Sequence, residues 1–142
     1  MKKTLFLIFL FLIFSKNNYS RNAGETEIST DEGIEVFQNE KFYLLKKNVQ
    51  IVSDDFSLFA DEVKIYFEKD LYDIVNMHAK GKANLDSKVY KIKGSGKSID
   101  IKIVEEEITV KGEGSRLDLE DVKMSSDGTI KVNNLNGNFK IV

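Results

Sequence analysis

The chain has 142 residues, enough for one ordinary domain, with no cysteine, no proline and a single histidine, His78. Without cysteine the chain cannot form disulfides, thiolate metal sites or an acylated-cysteine anchor, and a lone histidine excludes a two-histidine zinc site. The net charge of -2, with 31% charged and 42% hydrophobic residues, is typical of a globular protein that does not bind nucleic acid. We therefore expect no metal, no cofactor and no nucleic-acid partner.

The N-terminus has the composition of a secretory signal peptide. A positive start, Met1 to Lys3, precedes an uninterrupted apolar run from Leu5 to Phe14, and residues 15–20 are polar. The apolar run is about half of the roughly 20 residues that a membrane-spanning helix needs. We predict that residues 1–20 are removed on export to the periplasm, with cleavage near Ser20; an uncleaved membrane anchor is the alternative.

Residues 21–40 hold most of the charge imbalance. This segment contains six acidic residues and one basic residue, whereas residues 41–142 contain 17 of each sign. A run of like charge is usually solvated and loosely ordered. We interpret residues 21–40 as an acidic leader or linker, with one short strand at Ile34–Phe37, and residues 41–142 as the folded domain.

Apolar and polar residues alternate along most of this domain. Ile99, Ile101 and Ile103, for example, alternate with Asp100 and Lys102. A period of two is the signature of a β-strand, and isoleucine and valine, which are abundant here, pack well on a pleated sheet. The pattern predicts an all-β domain of about ten to twelve short strands, apolar on one face and charged on the other.

Turn residues separate the predicted strands. They occur at Lys69-Asp70, Gly94-Ser95-Gly96, Asp127-Gly128 and Asn136-Gly137. We interpret Gly94-Ser95-Gly96 as a turn or bulge, because it lacks the spacing of a phosphate-binding loop and no helix is predicted after it. Glu105-Glu106-Glu107 is interpreted as a loop rather than a calcium site, because consecutive strand residues point to opposite faces.

Several segments repeat a short motif. Lys47-Asn48-Val49, Lys80-Gly81-Lys82-Ala83 and Lys111-Gly112-Glu113-Gly114 each follow an apolar strand, at spacings of 33 and 31 residues. Ala60-Asp61-Glu62-Val63, which follows the first of them, resembles the alanine-aspartate-x-valine strand of the OstA-like repeat family. Residues 79–85 are similar to the return strand of the same repeat.

The resemblance implies an open, taco-shaped antiparallel β-jellyroll without enzymatic activity. Such a domain would bind lipopolysaccharide, cover its lipid A acyl chains in an apolar groove and bridge the inner and outer membranes. The implied partners are jellyroll domains of the inner- and outer-membrane transport components and further copies of the chain, joined head to tail. Two alternatives stay open: an inner-membrane-anchored relative of the same pathway, and a structural or adhesive β-repeat protein of the envelope.

Two sets of residues follow as candidates, and neither contains a catalytic residue. Apolar strand positions are candidates for the lipid groove, although each could equally belong to the core. These positions are Phe56, Leu58, Ile65, Phe67, Met77, Leu85, Ile92, Ile99, Ile101, Val110, Leu117 and Leu119. The first and last strands of an open sheet are candidates for assembly edges, because their backbone groups lack partners. The edge candidates are Phe42, Val49, Ile51, Ile130, Val132 and Phe139.

Overall fold

The computed structural model describes residues 25–70 and 73–142, and this part of the chain is all-β with no helix. Its eleven strands are β1 (Glu27–Ser29), β2 (Ile34–Phe37), β3 (Phe42–Val52), β4 (Phe56–Phe67), β5 (Ile74–Ser87), β6 (Ile92–Lys102), β7 (Glu107–Lys111), β8 (Ser115–Asp118), β9 (Lys123–Ser126), β10 (Thr129–Asn133) and β11 (Phe139–Ile141). The predicted fold class and strand number are confirmed. The predicted signal peptide lies outside the described residues.

All strands pair antiparallel in one sheet, which stays open. The main order is β1-β3-β4-β5-β6-β7-β10-β11, with β2 beside β3, β8 beside β6 and β9 beside β8. The four central strands, β3 to β6, are 11 to 14 residues long rather than short. They are longer than the alternation predicts because each continues through a bend instead of ending in a turn.

The bends are β-bulges that fall at matching places on neighbouring strands. The pairing of β3 with β4 shifts between Lys46 and Val49, and the pairing of β5 with β6 shifts between Lys80 and Ala83. Bulges bend a strand sharply and increase its twist. Gly81 adopts a φ of 85°, and a Cβ there would lie 2.8 Å from Cβ of Asp61, so this bulge requires glycine.

The bends divide the sheet into two layers that share one core. Layer 1 contains β2, residues 42–46 of β3, 62–67 of β4, 74–80 of β5, 98–102 of β6, β7, β10 and β11. Layer 2 contains β1, residues 49–52 of β3, 56–59 of β4, 83–87 of β5, 92–96 of β6, β8 and β9. Apolar residues from both layers form a single buried cluster, as expected for two sheets packed face to face.

The glycines of β6 correct one predicted turn. Gly94-Ser95-Gly96 lies inside β6, whereas the other three predicted turns lie between strands, as expected. A Cβ on Gly96 would lie 2.7 Å from Cγ1 of Val110, and a Cβ on Gly94 would lie 3.3 Å from Cγ2 of the same residue. These glycines therefore serve close packing of the two layers near the bend, not a reversal of the chain.

The acidic segment contributes more structure than its charge suggests. The expected strand at Ile34–Phe37 is present, but residues 27–29 form a second strand, and both strands pair with β3. Ile28 is buried in the core, and Ile34 and Val36 pack against it. In the part of the chain that the structure describes, the sheet therefore begins at Glu27 rather than near residue 41, because the acids alternate with apolar residues that cover the end of the core. None of the described residues forms a helix that could cross a membrane.

Candidate functional site

The two long sides of the folded sheet differ. On one side, which we call the bend side, the central strands pass from one layer to the other through the bulges. On the opposite side, which we call the open side, both layers end in hairpin loops, and no described strand crosses between them. The layer 1 loops include residues 38–41, 103–106 and 134–138, and the layer 2 loops are 53–55, 88–91 and 119–122.

An apolar cavity of about 230 Å³, which we call the cleft, opens between the layers on this side. Its inner wall consists of apolar side chains from both layers: Phe56, Met77, Leu85, Ile101 and Ile108. Ser87, which is buried, adds one hydroxyl to this interior. The mouth carries the polar or amphipathic residues Asp55, Tyr90, Lys102, Glu106 and Asn134, and Val89 and Ile103 complete the lining. The cleft thus combines an apolar interior with a polar entrance, which suits an amphiphile.

The size of the cleft limits what it can hold with the layers in this position. An apolar protein cavity of about 150 Å³ accommodates a benzene molecule and stays free of water. The larger cleft therefore has room for a segment of one alkyl chain, but not for several complete chains. An interior whose one buried hydroxyl, that of Ser87, already accepts a hydrogen bond from the Tyr90 backbone N–H offers water little, so an alkyl segment is a better occupant than solvent.

Exposed apolar side chains surround the mouth on the loops of the open side. We call this set the apolar rim. It comprises Val89, Tyr90 and Val122 from layer 2 and Ile103, Val104 and Leu135 from layer 1. Val104 and Leu135 are 68% and 66% exposed, so both side chains are accessible to a ligand or partner. The rim extends the apolar lining of the cleft outwards.

A polar contact spans the mouth. Tyr90, on a loop of layer 2, and Glu106, on a loop of layer 1, both line it. The pKa of Tyr90 is raised, chiefly by hydrogen bonding to the Glu106 side chain; partial burial and the negative charges of Glu106 and Asp55 add to the effect. Glu106 is half-buried and sits in a turn at a φ of 50°, with its backbone N–H donating to the Ile103 carbonyl at 3.2 Å.

The twelve predicted groove residues lie in three kinds of place. Phe56, Met77, Leu85 and Ile101 line the cleft, so the structure brings four of the twelve together there. Leu119 is partly buried against the core. The remaining seven are buried in the core shared by both layers: Leu58, Ile65, Phe67, Ile92, Ile99, Val110 and Leu117.

Sequence reasoning missed the residues that the loops bring to the cleft. Ile108 follows the acidic triplet, and Val89 and Tyr90 lie in the loop between β5 and β6. None of the three is among the predicted groove residues. Two adjacent large apolar residues in a hairpin loop are an unusual composition, because loops normally carry turn-forming and polar residues. The pair Val89-Tyr90 was therefore the one feature of the sequence that could have indicated the apolar rim.

Most of the predicted edge residues lie one strand inside the outermost strands of the described sheet. Phe42, Val49 and Ile51 belong to β3, which pairs with β4 on one side and with β1 and β2 on the other. Ile130 and Val132 belong to β10, which lies between β7 and β11. Of the predicted edge residues, Phe139 alone lies on an outermost strand, β11. Among the strands of residues 25–70 and 73–142, the outermost are therefore β2 and β11 in layer 1 and β1 and β9 in layer 2.

The outer face of layer 1 is polar around the single histidine. His78 contacts Asp100, and the Asp100 carboxylate also pairs with Nζ of Lys111 at 3.7 Å. The described residues contain no cluster of three histidine, aspartate or glutamate side chains arranged to hold a metal ion. These polar pairs face solvent, in contrast to the apolar inner face of the same sheet.

Comparisons with known proteins give a consistent result. A family model described as LptA/(LptD N-terminal domain) LPS transport protein matches residues 27–134. A crystal structure of LptH, the LptA homologous periplasmic component of the lipopolysaccharide transport device from Pseudomonas aeruginosa, superposes with a TM-score of 0.68 at 12% identity. The match covers 82% of this chain and 81% of that chain. A search of curated proteins finds no significant match.

Proposed function

Because the chain belongs to the LptA/LptD N-terminal domain family of lipopolysaccharide transport proteins, we propose that it is a periplasmic carrier that binds lipopolysaccharide through its acyl chains. The cleft is the observation that carries this proposal. It is an apolar space between two layers, it opens on the side where no described strand joins them, and exposed apolar loops surround it.

Physical chemistry explains why a carrier needs such a space. Each methylene group exposed to water costs about 0.8 kcal/mol, so a chain of a dozen carbons costs on the order of 10 kcal/mol. The inner wall of the cleft and the apolar rim would remove much of that cost without any covalent step. The wall has no charged side chain to hold the chain tightly, so the lipid can also leave.

The volume of the cleft implies that the layers part when lipid enters. A cleft of about 230 Å³ holds only part of one chain, whereas the seven predicted groove residues in the core lie deeper between the layers. Separation on the open side would turn those core residues into the lining of a continuous groove. The bulges of the bend side would act as the hinge.

We propose that the carrier assembles into a bridge through its outermost strands. β1 and β2 at one end and β9 and β11 at the other present unpaired backbone groups within the described structure, and such edges pair readily with another strand. Joining one end to the other end of a second copy, or to a jellyroll domain of an inner- or outer-membrane transport component, would continue both layers. This contact is heterologous, so it extends without closing.

Photo-crosslinking tests the lipid-binding proposal. A photoreactive residue at Ile101, which lines the cleft, should capture lipopolysaccharide in cells, whereas one at Lys64 on the outer face of layer 1 should not. Ile65, which is 1% exposed, should be captured only if the layers part. Equal capture at Ile101 and Lys64 would contradict the proposal, and capture at Ile101 without capture at Ile65 would contradict the opening.

A further inference from the structure

The two strands that end layer 1 in the described part of the chain, β2 and β11, run in opposite directions. β2 leads into the open-side loop 38–41, whereas β11 follows the open-side loop 134–138. Two copies that align their open sides therefore place β11 of one copy antiparallel to β2 of the next, which continues the antiparallel order of the sheet. In layer 2, β1 and β9 both run away from the open side, so a junction there would be parallel and slightly less stable.

The backbone groups of β11 that point outwards belong to Phe139 and Ile141. Val142 and Thr129 exchange both backbone hydrogen bonds, at 2.8 and 3.2 Å, and the direction of the N–H and C=O groups alternates along a strand. Lys140 therefore points its backbone groups towards β10, and its two neighbours point theirs away from it. The side chains of these neighbours lie opposite buried core residues of β10, yet they are 51% and 46% exposed. The core face of β11 is thus open to a further strand.

At the other end of layer 1, the outward backbone groups of β2 belong to Ile34 and Val36. The Phe67 N–H of β4 donates to the Lys41 carbonyl at 3.1 Å, so the alternation along β3 makes Glu35 the residue that exchanges backbone hydrogen bonds with β3. Its two neighbours therefore point their N–H and C=O groups away from β3. Their side chains lie opposite buried residues of β3 and pack against the core. β2 and β11 thus share one pattern, in which the outward backbone groups belong to residues whose side chains face the core.

From this geometry we propose that β11 of one copy pairs with β2 of a second copy in a single register, and that an ion pair between the two strands fixes this register. Three pairs of residues then face each other across the junction: Phe139 and Val36, Lys140 and Glu35, and Ile141 and Ile34. The first and third pairs exchange backbone hydrogen bonds and extend the apolar core, while the middle pair lies on the outer face. A shift by two residues would place Lys140 opposite Gly33 or Phe37 instead. This inference rests on the proposed assembly into a bridge, whose junction it specifies.

Charge makes a junction of unlike ends more favourable than a junction of like ends. Lys140 lies opposite Lys131 of β10 in the same copy, and like charges directly opposite each other are destabilising. Glu35 lies 4.0 Å from Nζ of Lys46, and both of these side chains are exposed. Across the proposed junction, Lys140 gains a carboxylate in a non-hydrogen-bonded pair, where opposite side chains are closest. Pairing β2 with β2, or β11 with β11, in full overlap would instead bring two Glu35 or two Lys140 side chains together. The ion pair therefore selects head-to-tail assembly.

Charge reversal on each side of the junction tests this proposal by sedimentation velocity over a concentration series at low ionic strength. Glu35→Lys and Lys140→Glu should each weaken self-association about fivefold, because each variant alone brings like charges together. An equimolar mixture of the two variants should associate as tightly as the wild-type protein. In the mixture, the lysine introduced at position 35 meets the glutamate introduced at position 140, and the unchanged Lys140 meets the unchanged Glu35. Misfolding of a variant would not be repaired by mixing, so this recovery reports the junction itself.

The matched controls are Glu105→Lys and Lys88→Glu, which change the net charge equally at exposed positions on open-side loops away from both ends. Each control alone, and their mixture, should associate like the wild-type protein. Absence of recovery in the mixture of Glu35→Lys and Lys140→Glu, or the same weakening and recovery in the controls, would overturn this inference while wild-type oligomers leave the bridge standing. A wild-type protein that stays monomeric would overturn the proposed bridge and this inference together, whereas lipid capture at Ile101 tests the lipid-binding proposal separately.

Discussion

The bend side and the open side of the sheet are built from opposite kinds of contact. On the bend side, continuous strands connect the layers, and the layers approach so closely that Gly96 has no room for a Cβ beside Val110. On the open side, hairpin loops with exposed apolar residues face each other across a cleft. From this difference we propose that the bend side holds the layers together and that the open side separates when lipid enters.

The largest expected difference between the two sides is in stability. Leu45 lies two residues before the bulge of β3 and is 0% exposed, whereas Val104 lies on an open-side loop. Leu45→Ala should lower the free energy of unfolding by about 2–5 kcal/mol, because it leaves a cavity in the shared core. Val104→Ala should change it by no more than about 0.5 kcal/mol. Urea denaturation measures both, and similar losses would contradict the proposed division.

The bulge glycine sharpens the same comparison. Gly81→Ala places a Cβ against Asp61 at a φ of 85°, so it should destabilise the protein by about 2–3 kcal/mol. Gly137→Ala is the matched control, since Gly137 has a φ of 72° but no atom within 4 Å of an added Cβ. It should cost about 1 kcal/mol, which reports the backbone strain alone. Equal losses in thermal denaturation would show that close packing at the bend contributes nothing.

The sequence predicted which residues face the core better than it predicted where the sheet bends and where it opens. Alternation identifies which residues face inward, so the all-β fold, the strand number and the apolar face could be predicted, and four predicted groove residues line the cleft. The bends could not be predicted, because a glycine among polar residues suggests a turn whether it lies in a bulge, as Gly81 does, or inside a regular strand, as Gly94 and Gly96 do. The cleft depends on which loops meet across the open side, and loop positions are a tertiary property that alternation does not encode.

The outermost strand β11 allows assembly to be tested without disturbing the layers. Val142 and Thr129 exchange both backbone hydrogen bonds, so the ladder alternation directs the N–H of Lys140 towards β10 and that of Ile141 outwards. Ile141→Pro should therefore abolish concentration-dependent oligomers while changing monomer stability little. Sedimentation velocity over a concentration series measures this, with Ile141→Ala as the control for the side chain. Oligomers that persist in Ile141→Pro would contradict assembly through β11.

The smallest expected effect concerns the contact that spans the open side. Because the hydrogen bond to Glu106 raises the pKa of Tyr90, this phenol should titrate above the usual value of about 10. Its contribution to stability is present below the pKa of the unfolded chain and is lost as the pH rises through the higher folded pKa. The contribution is small because Tyr90 is 44% exposed. An absorbance titration of the wild-type protein minus that of Tyr90→Phe isolates this phenol, and Glu106→Gln should lower its pKa towards the ordinary value. Titration of Tyr90 at an ordinary pH in the wild-type protein would show that the loops of the two layers are not joined across the mouth in solution.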